Sequence, residues 1–312
     1  MKALILNQYG GPEQLQMQEM GIPQIKSGEL LVRVHAAGVN PIDYKIRNGS
    51  MKLVAGKKLP RILGGDLAGV VEQAVEKSKF RPGDKVFAML SASGGAYAEF
   101  AAVKESQLAL IPDGLSMTEA AAIPLASLTA LQAFQKSNGI KPGDKVLING
   151  ASGGVGSFAV QIAKALGAKV TAVCSAANID FVKSLGAYKV IDYKKEDFTQ
   201  LDQQFNTVFD AVAKSSFRKC RKIIVNGGKY VSTLPNNGLF LHQAFNFTRA
   251  TKAHFIIAKP SGKDLMLIAE MIKKNQVRPY VQKIFPLAEG AKAHRLIETE
   301  RVRGKLVLKV ID

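Results

Sequence analysis

A glycine-rich run, GASGGVG, occupies residues 150–156 in the middle of the chain. It follows an apolar stretch, 145–149, that is typical of a strand, and it opens a predicted helix that ends near Leu166. Glycines here let the backbone approach a pyrophosphate closely, and the helix N-terminus offers free N–H groups to the phosphate oxygens. We therefore expect a dinucleotide to be bound by Ser152, Gly153, Gly154 and Val155. The alternative is a tight turn that binds no ligand.

The next predicted strand, 168–173, ends in CSAAN at residues 174–178, and the first acidic residue after it is Asp180. Sites for NAD usually carry a carboxylate at the end of this strand, where it holds the ribose 2′-hydroxyl. A carboxylate would repel a 2′-phosphate, whereas Ser175 and Asn178 can donate hydrogen bonds to one. The sequence therefore predicts NADPH as the cofactor, although turn and helix-cap roles for Ser175 and Asn178 are also open.

The elements that must position this turn change character along the chain. The first third contains short strand-like runs separated by turn signals, which predicts a small barrel-like β domain. From about residue 115, strands and helices alternate, among them a helix over 118–137, a strand over 208–212 and a helix over 216–225, which is typical of a doubly wound parallel sheet. The last fifty residues predict helices at 264–274 and 287–299 and a strand at 305–310. We expect an α/β protein with one domain formed by 1–118 and 263–312 and another formed by 119–262.

Composition narrows the function classes. The 312 residues carry a net charge of +18, which attracts anionic ligands, but the densest basic cluster, 218–222, lies in a helix-like stretch, so a nucleic-acid surface is disfavoured. Two cysteines do not suggest a disulfide framework, and we expect both to be buried apolar side chains. No apolar run reaches the ~18 residues of a membrane span, and the first apolar segment is too short for a signal peptide. A cytoplasmic location is expected.

Together with the glycine run, several segments resemble the medium-chain dehydrogenase/reductase superfamily, and within it the zinc-free, zeta-crystallin-like quinone oxidoreductases. They include AGVNPID at 37–43, GGDLAG at 64–69, AAAIP at 120–124, IDY at 191–193 and GKLV at 304–307, and the segment 178–187 is similar to that of chloroplast-envelope homologues. The resemblance covers essentially the whole chain. It implies a GroES-like catalytic domain, built from both chain ends, around a Rossmann domain, and homodimers are common in the family.

The departures from the family pattern concern zinc. Alcohol dehydrogenases of this superfamily place zinc ligands where this chain has Asn40, Gly65 and Leu125, so no catalytic zinc site is expected. The resemblance puts Asn40, Tyr44 and Lys45 beside the nicotinamide, and implies further cofactor contacts for Thr129 and Tyr193.

In that arrangement Asn40 would hold the cofactor ribose or the substrate, Lys45 would stabilise an enolate, and Tyr44 would donate a proton. Three alternatives stay open: Lys45 pairs with Asp66, Tyr44 only packs, or water supplies the proton. The four histidines, His35, His242, His254 and His294, show no metal spacing and are expected to be structural or exposed.

The expected function is therefore hydride transfer from NADPH to a small quinone or enone without zinc. An enoyl-thioester reductase is a second possibility, since the positive charge suits an anionic acyl carrier. A non-catalytic nucleotide- or RNA-binding module is the third, although an intact cofactor turn argues against it.

Overall fold

The computed structural model describes residues 1–52, 56–91, 94–234 and 251–311. The chain divides into two compact units, the first formed by Met1–Leu128, Lys259–Lys273 and Pro279–Asp312, and the second by Thr129–Ala258 and Lys274–Arg278. The first boundary between the units falls after Leu128, ten residues later than the boundary at residue 118 that the sequence indicates. It lies within the continuous helix Pro124–Lys136.

The strands in chain order are β1 (Lys2–Leu6), β2 (Leu15–Glu19), β3 (Glu29–Val39), β4 (Arg61–Ile62), β5 (Asp66–Gln73), β6 (Lys85–Met89), β7 (Phe100–Lys104), β8 (Leu108–Leu110), β9 (Lys145–Asn149), β10 (Lys169–Cys174), β11 (Lys189–Asp192), β12 (Phe205–Asp210), β13 (Ile224–Ser232), β14 (Lys252–Phe255), β15 (Val281–Pro286) and β16 (Lys305–Lys309). The α-helices are α1 (Pro41–Arg47), α2 (Met117–Ala121), α3 (Pro124–Lys136), α4 (Gly154–Ala165), α5 (Ile179–Ser184), α6 (Phe217–Cys220), α7 (Gly262–Lys273) and α8 (Gly290–Glu298).

The first unit is built on two sheets. One has the strand order β2-β1-β4, and the other has the order β15-β16-β3-β5-β6-β8, with β7 paired to β3. Strand β3 pairs antiparallel with β5, β7 and β16. At the end of β3, Gly38 is in register with Asp66 of β5, and Val39 is in register with Leu306 of β16. The sheet pairing therefore brings Asn40, Asp66 and Lys305 to one place.

The second unit is one sheet with the strand order β11-β10-β9-β12-β13-β14, in which every pair is parallel. Strand β9 reads KVLIN and four of its five residues are buried, as expected for a strand covered on both faces. Renumbered from β9, this order is the 3-2-1-4-5-6 order of doubly wound dinucleotide-binding folds. The predicted α/β class, with a β-rich unit and a parallel doubly wound sheet, is confirmed.

Several element limits differ from the sequence prediction. The single helix expected over 118–137 is two helices, α2 and α3, because Pro124 lacks an N–H and disfavours helical geometry at the residue before it. The strand expected at 208–212 ends at Asp210, and a positive φ of 53° at Ala213 marks the turn that follows. The helix expected over 216–225 ends at Cys220, and β13 begins at Ile224 after a 3-10 turn.

Within the described residues, none of the helices combines the length and the apolar character that a membrane crossing requires.

Candidate functional site

The glycine turn of the second unit joins β9 to α4. The N–H groups of Gly150 and Ala151 both donate to the carbonyl oxygen of Val173, at 3.1 and 3.0 Å, which ties the turn to the end of β10. A Cβ on Gly156 would lie 2.1 Å from the carbonyl oxygen of Gly150, so only glycine lets the helix start this close to the strand end. Gly153 is the N-cap of α4, and the first N–H groups of a helix have no acceptor inside it. The turn therefore presents free donors and the positive end of the helix dipole.

The residues expected at the 2′-phosphate lie at the ends of β10 and β11. The Asn178 side-chain N–H donates to the Ser175 hydroxyl at 3.1 Å, and the Tyr193 backbone N–H donates to the Cys174 carbonyl at 3.2 Å. Tyr193 is 55% exposed, and Ser175 is half-buried. The structure thus brings Ser175 and Asn178 into contact and places Tyr193 at the neighbouring strand end. Thr129 lies elsewhere in the unit, buried in α3.

A carboxylate that the sequence reasoning did not weigh also lies at this edge. Asp192 is in register with Cys174, and burial together with the Asp192 charge raises the pKa of the Cys174 thiol to about 11. The Asp192 carboxylate is buried and accepts the Lys194 N–H at 3.1 Å. Both cysteines are buried free thiols, which confirms the prediction for them.

The strand order of the second unit's sheet reverses between β9 and β12. A buried hydrogen-bond network joins the ends of the strands at this position. The Asn149 side-chain N–H donates to the Asp210 carboxylate at 2.9 Å, and the Tyr230 hydroxyl donates to the same carboxylate at 2.9 Å. The Ser215 N–H adds a third bond at 2.7 Å. Ligands of open α/β sheets bind outside the carboxyl ends of the strands at such a point. This network was missed from the sequence because its members look like ordinary strand-end residues.

In the first unit, Asn40 begins α1. The Asp43 carboxylate accepts the Asn40 backbone N–H at 2.8 Å, and Pro41 at the first helical position fits because its missing N–H would be unbonded anyway. Asn40 is only 1% exposed. Tyr44 and Lys45 follow on α1, are half-buried, and place the Lys45 ammonium 5.9 Å from the centre of the Tyr44 ring.

The partner of Asp66 differs from the one considered from the sequence. Its carboxylate accepts the Asn40 side-chain N–H at 2.9 Å and the Leu125 backbone N–H at 2.8 Å, and the Lys305 ammonium lies 3.5 Å away. Lys305, not Lys45, is therefore the ion-pair partner of Asp66. Lys305 also donates to the side-chain oxygen of Asn40. The Lys45–Asp66 pair considered from the sequence is therefore wrong. The pairing of β16 with β3 places Lys305, and not Lys45, beside Asp66.

Tyr97 and His294 extend the buried cluster. The Tyr97 hydroxyl donates to the Asp43 carboxylate at 3.0 Å and lies 3.3 Å from a His294 ring nitrogen. The Tyr97 ring fits there because Gly64 has φ +89° and no side chain; a Cβ on Gly64 would lie 2.3 Å from the ring. Burial, with Arg47 nearby, lowers the pKa of His294 to about 3, so its ring is neutral. His294 is thus structural, as expected, whereas His242 lies outside the described residues.

Burial dominates the protonation of the acidic residues. It raises the pKa of Asp43 to about 7, with the neighbouring Asp66 charge adding to the rise and the hydrogen bonds from Asn40 and Tyr97 opposing it. Burial also raises the pKa of Asp66 and lowers that of Lys305, and the attraction between the two opposes both shifts. Asp43 therefore takes up a proton as the pH falls through neutrality.

The residues at the expected zinc-ligand positions do not suit zinc. The Asn40 amide is already bonded to Asp66 and Lys305, and Gly65 and Leu125 have no side-chain donor. Structural and catalytic zinc sites use Cys, His and carboxylate ligands. In the part of the chain that the structure describes, there is no group of three His, Cys, Asp or Glu residues that could hold a metal ion.

Comparisons with known proteins agree with this fold. The family model described as "Alcohol dehydrogenase GroES-like domain" matches residues 26–113, and the one described as "Zinc-binding dehydrogenase" matches residues 185–308. The chain is 34% identical to the quinone-oxidoreductase homolog of Spinacia oleracea chloroplasts, over 99% of this chain and 98% of that one.

A second relative is the NADPH-dependent alkenal/one oxidoreductase of Arabidopsis thaliana chloroplasts, which is 33% identical over 99% of this chain and 79% of that one. Among solved structures, the quinone oxidoreductase from Coxiella burnetii superimposes with a TM-score of 0.91, at 33% identity, over 100% of this chain and 99% of that one.

The raised pKa of Asp43 predicts how the free energy of unfolding depends on pH. The carboxyl has a pKa near ~3.9 in an unfolded chain and about 7 in the folded protein, so the folded state binds more protons between these values. Wild-type stability should then fall as the pH rises from ~4 to ~7, whereas Asp43→Asn keeps an acceptor that does not titrate. We expect the stability of Asp43→Asn relative to wild type to rise by up to about 1.4 kcal/mol per pH unit, measured by urea unfolding.

Asp197→Asn is the control for this series. The Thr199 backbone N–H lowers the pKa of that exposed carboxyl, so Asp197 is ionised in both the folded and the unfolded state above about pH 5, and the stability of Asp197→Asn relative to wild type should stay constant between pH 5 and pH 8. A stability difference for Asp43→Asn that does not change between pH 5 and pH 8 would show that Asp43 is ionised throughout.

Proposed function

Because the chain belongs to the medium-chain dehydrogenase/reductase family, we propose that it is an NADPH-dependent oxidoreductase that reduces a quinone or an α,β-unsaturated carbonyl compound without zinc. The observation that carries the proposal is the glycine turn at the reversal point of the second unit's sheet, where Gly156 lets α4 begin against the end of β9. The names of the relatives, quinone oxidoreductase and alkenal/one oxidoreductase, support the acceptor class.

The residues proposed to hold the cofactor follow from that turn. Gly154 and Val155 would bind the pyrophosphate through their backbone N–H groups, since they begin α4. Ser152 and Gly153, which are also partly exposed, would line the same turn, where the Gly153 N–H donates to the Gly150 carbonyl oxygen at 3.2 Å. Ser175, Asn178 and Tyr193 would surround the 2′-phosphate. Thr129 and Asn40 are further proposed contacts from the family resemblance. Asn40 has one side-chain N–H left for a ligand, because its oxygen and its other N–H are bonded within the first unit.

When bound, NADPH supplies a hydride. Addition of hydride to a quinone or to the β-carbon of an enone leaves negative charge on the carbonyl oxygen, and that oxygen requires a donor. We propose the Lys45 ammonium for this role and the Tyr44 hydroxyl as a proton donor, with water as the alternative. The two side chains lie close together, with the Lys45 ammonium 5.9 Å from the centre of the Tyr44 ring, which supports the pairing.

An enoyl-thioester reductase is the second candidate. It is favoured by the net charge of +18, which would attract an anionic acyl carrier. Faster turnover of a short enone than of an enoyl-CoA would favour the quinone or enone reductase, and the reverse would favour the enoyl-thioester reductase.

Homodimerisation and a cytoplasmic location are retained as proposals. The first rests on the family resemblance and the second on the sequence, and the relatives named above carry chloroplastic names.

The direct test is NADPH consumption, followed by nicotinamide absorbance, across quinones, alkenals and enoyl-CoAs. We expect turnover with at least one quinone or enone, unchanged after dialysis against a strong chelator. A loss of activity that added zinc restores would contradict the zinc-free assignment, and the absence of turnover with every acceptor would contradict the function.

Cofactor preference tests the end of β10. We expect wild type to favour NADPH over NADH by roughly tenfold or more in kcat/KM, since one hydrogen bond to a charged group contributes about 1.5–3 kcal/mol and ~1.4 kcal/mol is a factor of ten. Ser175→Asp should remove or reverse the preference, because its carboxylate repels the 2′-phosphate. Ser184→Asp, which adds the same charge at an exposed position of α5, should not. Equal use of both cofactors by wild type would refute the assignment.

Lys45→Ala should lower kcat about ten- to a hundredfold with a smaller effect on NADPH binding, because the charge that Lys45 stabilises develops mainly in the transition state. Lys52→Ala removes an exposed lysine nearby and should be neutral. If Lys45→Ala leaves kcat unchanged and lowers only the free energy of unfolding, Lys45 has a structural role.

A further inference from the structure

A cluster of buried polar side chains lies at the start of α1 in the first unit. Its members come from segments far apart in the sequence, and each is at most 4% exposed: Asn40, Asp43, Asp66, Tyr97 and Lys305. The proposed function uses Tyr44 and Lys45 of α1 and a ligand contact of Asn40, and it leaves the other four side chains of the cluster without an assigned role.

The hydrogen bonds of the cluster fix the orientation of the Asn40 amide. Lys305 can only donate and ionised Asp66 can only accept, so the Asn40 oxygen must face Lys305 and its nitrogen must face Asp66. A rotation of the amide by half a turn would set N–H groups against the ammonium and oxygen against the carboxylate. Both contacts would be repulsive, and burial would strengthen the repulsion.

The backbone of Asn40 connects this orientation to the helix. Its N–H donates to the Asp43 carboxylate at 2.8 Å, and its carbonyl oxygen accepts the Asp43 N–H at 3.0 Å. Tyr44 and Lys45 come directly after Asp43. A change in the position of Asn40 is therefore passed to the first turn of α1 and to the two proposed reaction residues.

We propose that Lys305 is a positioning residue for the reaction: with Asp66 it locks the Asn40 amide and, through the Asn40–Asp43 cap, sets the start of the helix that carries Tyr44 and Lys45. This inference rests on the proposed function and deepens it. Lys305 is argued to act through Asn40 and not on a substrate.

Charged groups around Asp43 give the inference a second readout. Asp66 faces it from β5 and Lys305 from β16, and the Tyr97 hydroxyl bonds it. Beyond these, His294 contacts Tyr97, and Arg47 of α1 pairs with Glu298 of α8. Burial raises the pKa of Asp43 to about 7, and Lys305 is among the groups that hold it down. Because the Asp43 carboxylate accepts the Asn40 N–H, protonation of Asp43 should lower kcat at acidic pH. Removing Lys305 should raise the pKa of Asp43 further and so move this loss of kcat to higher pH.

A purely structural role for Lys305 makes a different prediction. Lys305→Met leaves Asp66 as a buried carboxylate without its cation, which destabilises the fold strongly. Adding Asp66→Asn removes that unpaired charge. If Lys305 serves stability alone, the double variant should regain both stability and turnover. If Lys305 positions Asn40, the double variant should regain stability but not turnover, because the amide introduced at position 66 can both donate and accept and so no longer fixes which way the Asn40 amide faces.

The experiment compares wild type, Lys305→Met and Lys305→Met/Asp66→Asn. Lys283→Met serves as the control, because this exposed lysine lies on the adjacent strand β15 with its ammonium over Phe285. For each we would measure kcat, KM for NADPH, urea unfolding and the pH profile from 5.5 to 9. We expect kcat to fall about ten- to a hundredfold in both Lys305 variants, as is typical when reacting groups are misplaced. NADPH KM should rise by a smaller factor than kcat falls, because Asn40 is only one of several proposed cofactor contacts, and the control should match wild type.

Recovery of wild-type kcat in the double variant would overturn the inference, as would an unchanged kcat in Lys305→Met. If Lys305→Met does not fold, the double variant alone decides. Absence of turnover in wild type would contradict the proposed function instead. The inference is then tested by NMR of asparagine side-chain amides: the Asn40 signal, identified by its loss in Asn40→Asp, should exchange slowly with solvent in wild type and rapidly in the double variant. Slow exchange in both would refute it.

Discussion

The carboxylate of Asp66 is buried completely, and a buried charge is tolerated only when donors surround it. Its donors come from three distant places: the Asn40 side chain, the Leu125 backbone N–H and the Lys305 ammonium. Meeting that one requirement joins the end of β3, the start of β5, the first turn of α3 and the start of β16. One of these donors, Asn40, is also the N-cap of α1, the helix that carries Tyr44 and Lys45.

The second unit follows from a different constraint, which is steric. The carbonyl oxygen of Gly150 leaves no room for a side chain at Gly156, so α4 starts against the end of β9, and the N–H groups of its first turn have no acceptor within the helix. Those groups lie where the strand order reverses, and the Asn149–Asp210–Tyr230 network closes the neighbouring strand ends without using them. The proposed phosphate-binding turn and the buried charge cluster thus arise in separate units from separate physical causes.

The sequence predicted features whose cause is local. The glycine turn, the parallel strands β9 to β11 and the two buried cysteines depend on residue types at short spacing, and the structure has them. The Lys305–Asn40 contact joins residues 265 positions apart, so no local pattern could indicate it, and the Lys45–Asp66 pair considered from the sequence is wrong because Lys305 pairs with Asp66. Pro124 was visible, yet a helix was still expected to run through it. Short strands such as β4, β8 and β14 carry too few residues for periodicity to show them.

The central claim, that hydride passes from NADPH to a conjugated acceptor, is tested most directly with NADPH that carries deuterium at the transferred position of the nicotinamide. With an enone as acceptor, we expect one deuterium at the β-carbon of the product, detected by mass spectrometry and NMR. With unlabelled NADPH in deuterated water, deuterium should enter at the α-carbon only, delivered by Tyr44 or by water. A reduced product without deuterium from the labelled NADPH, or with solvent deuterium at the β-carbon, would contradict the account.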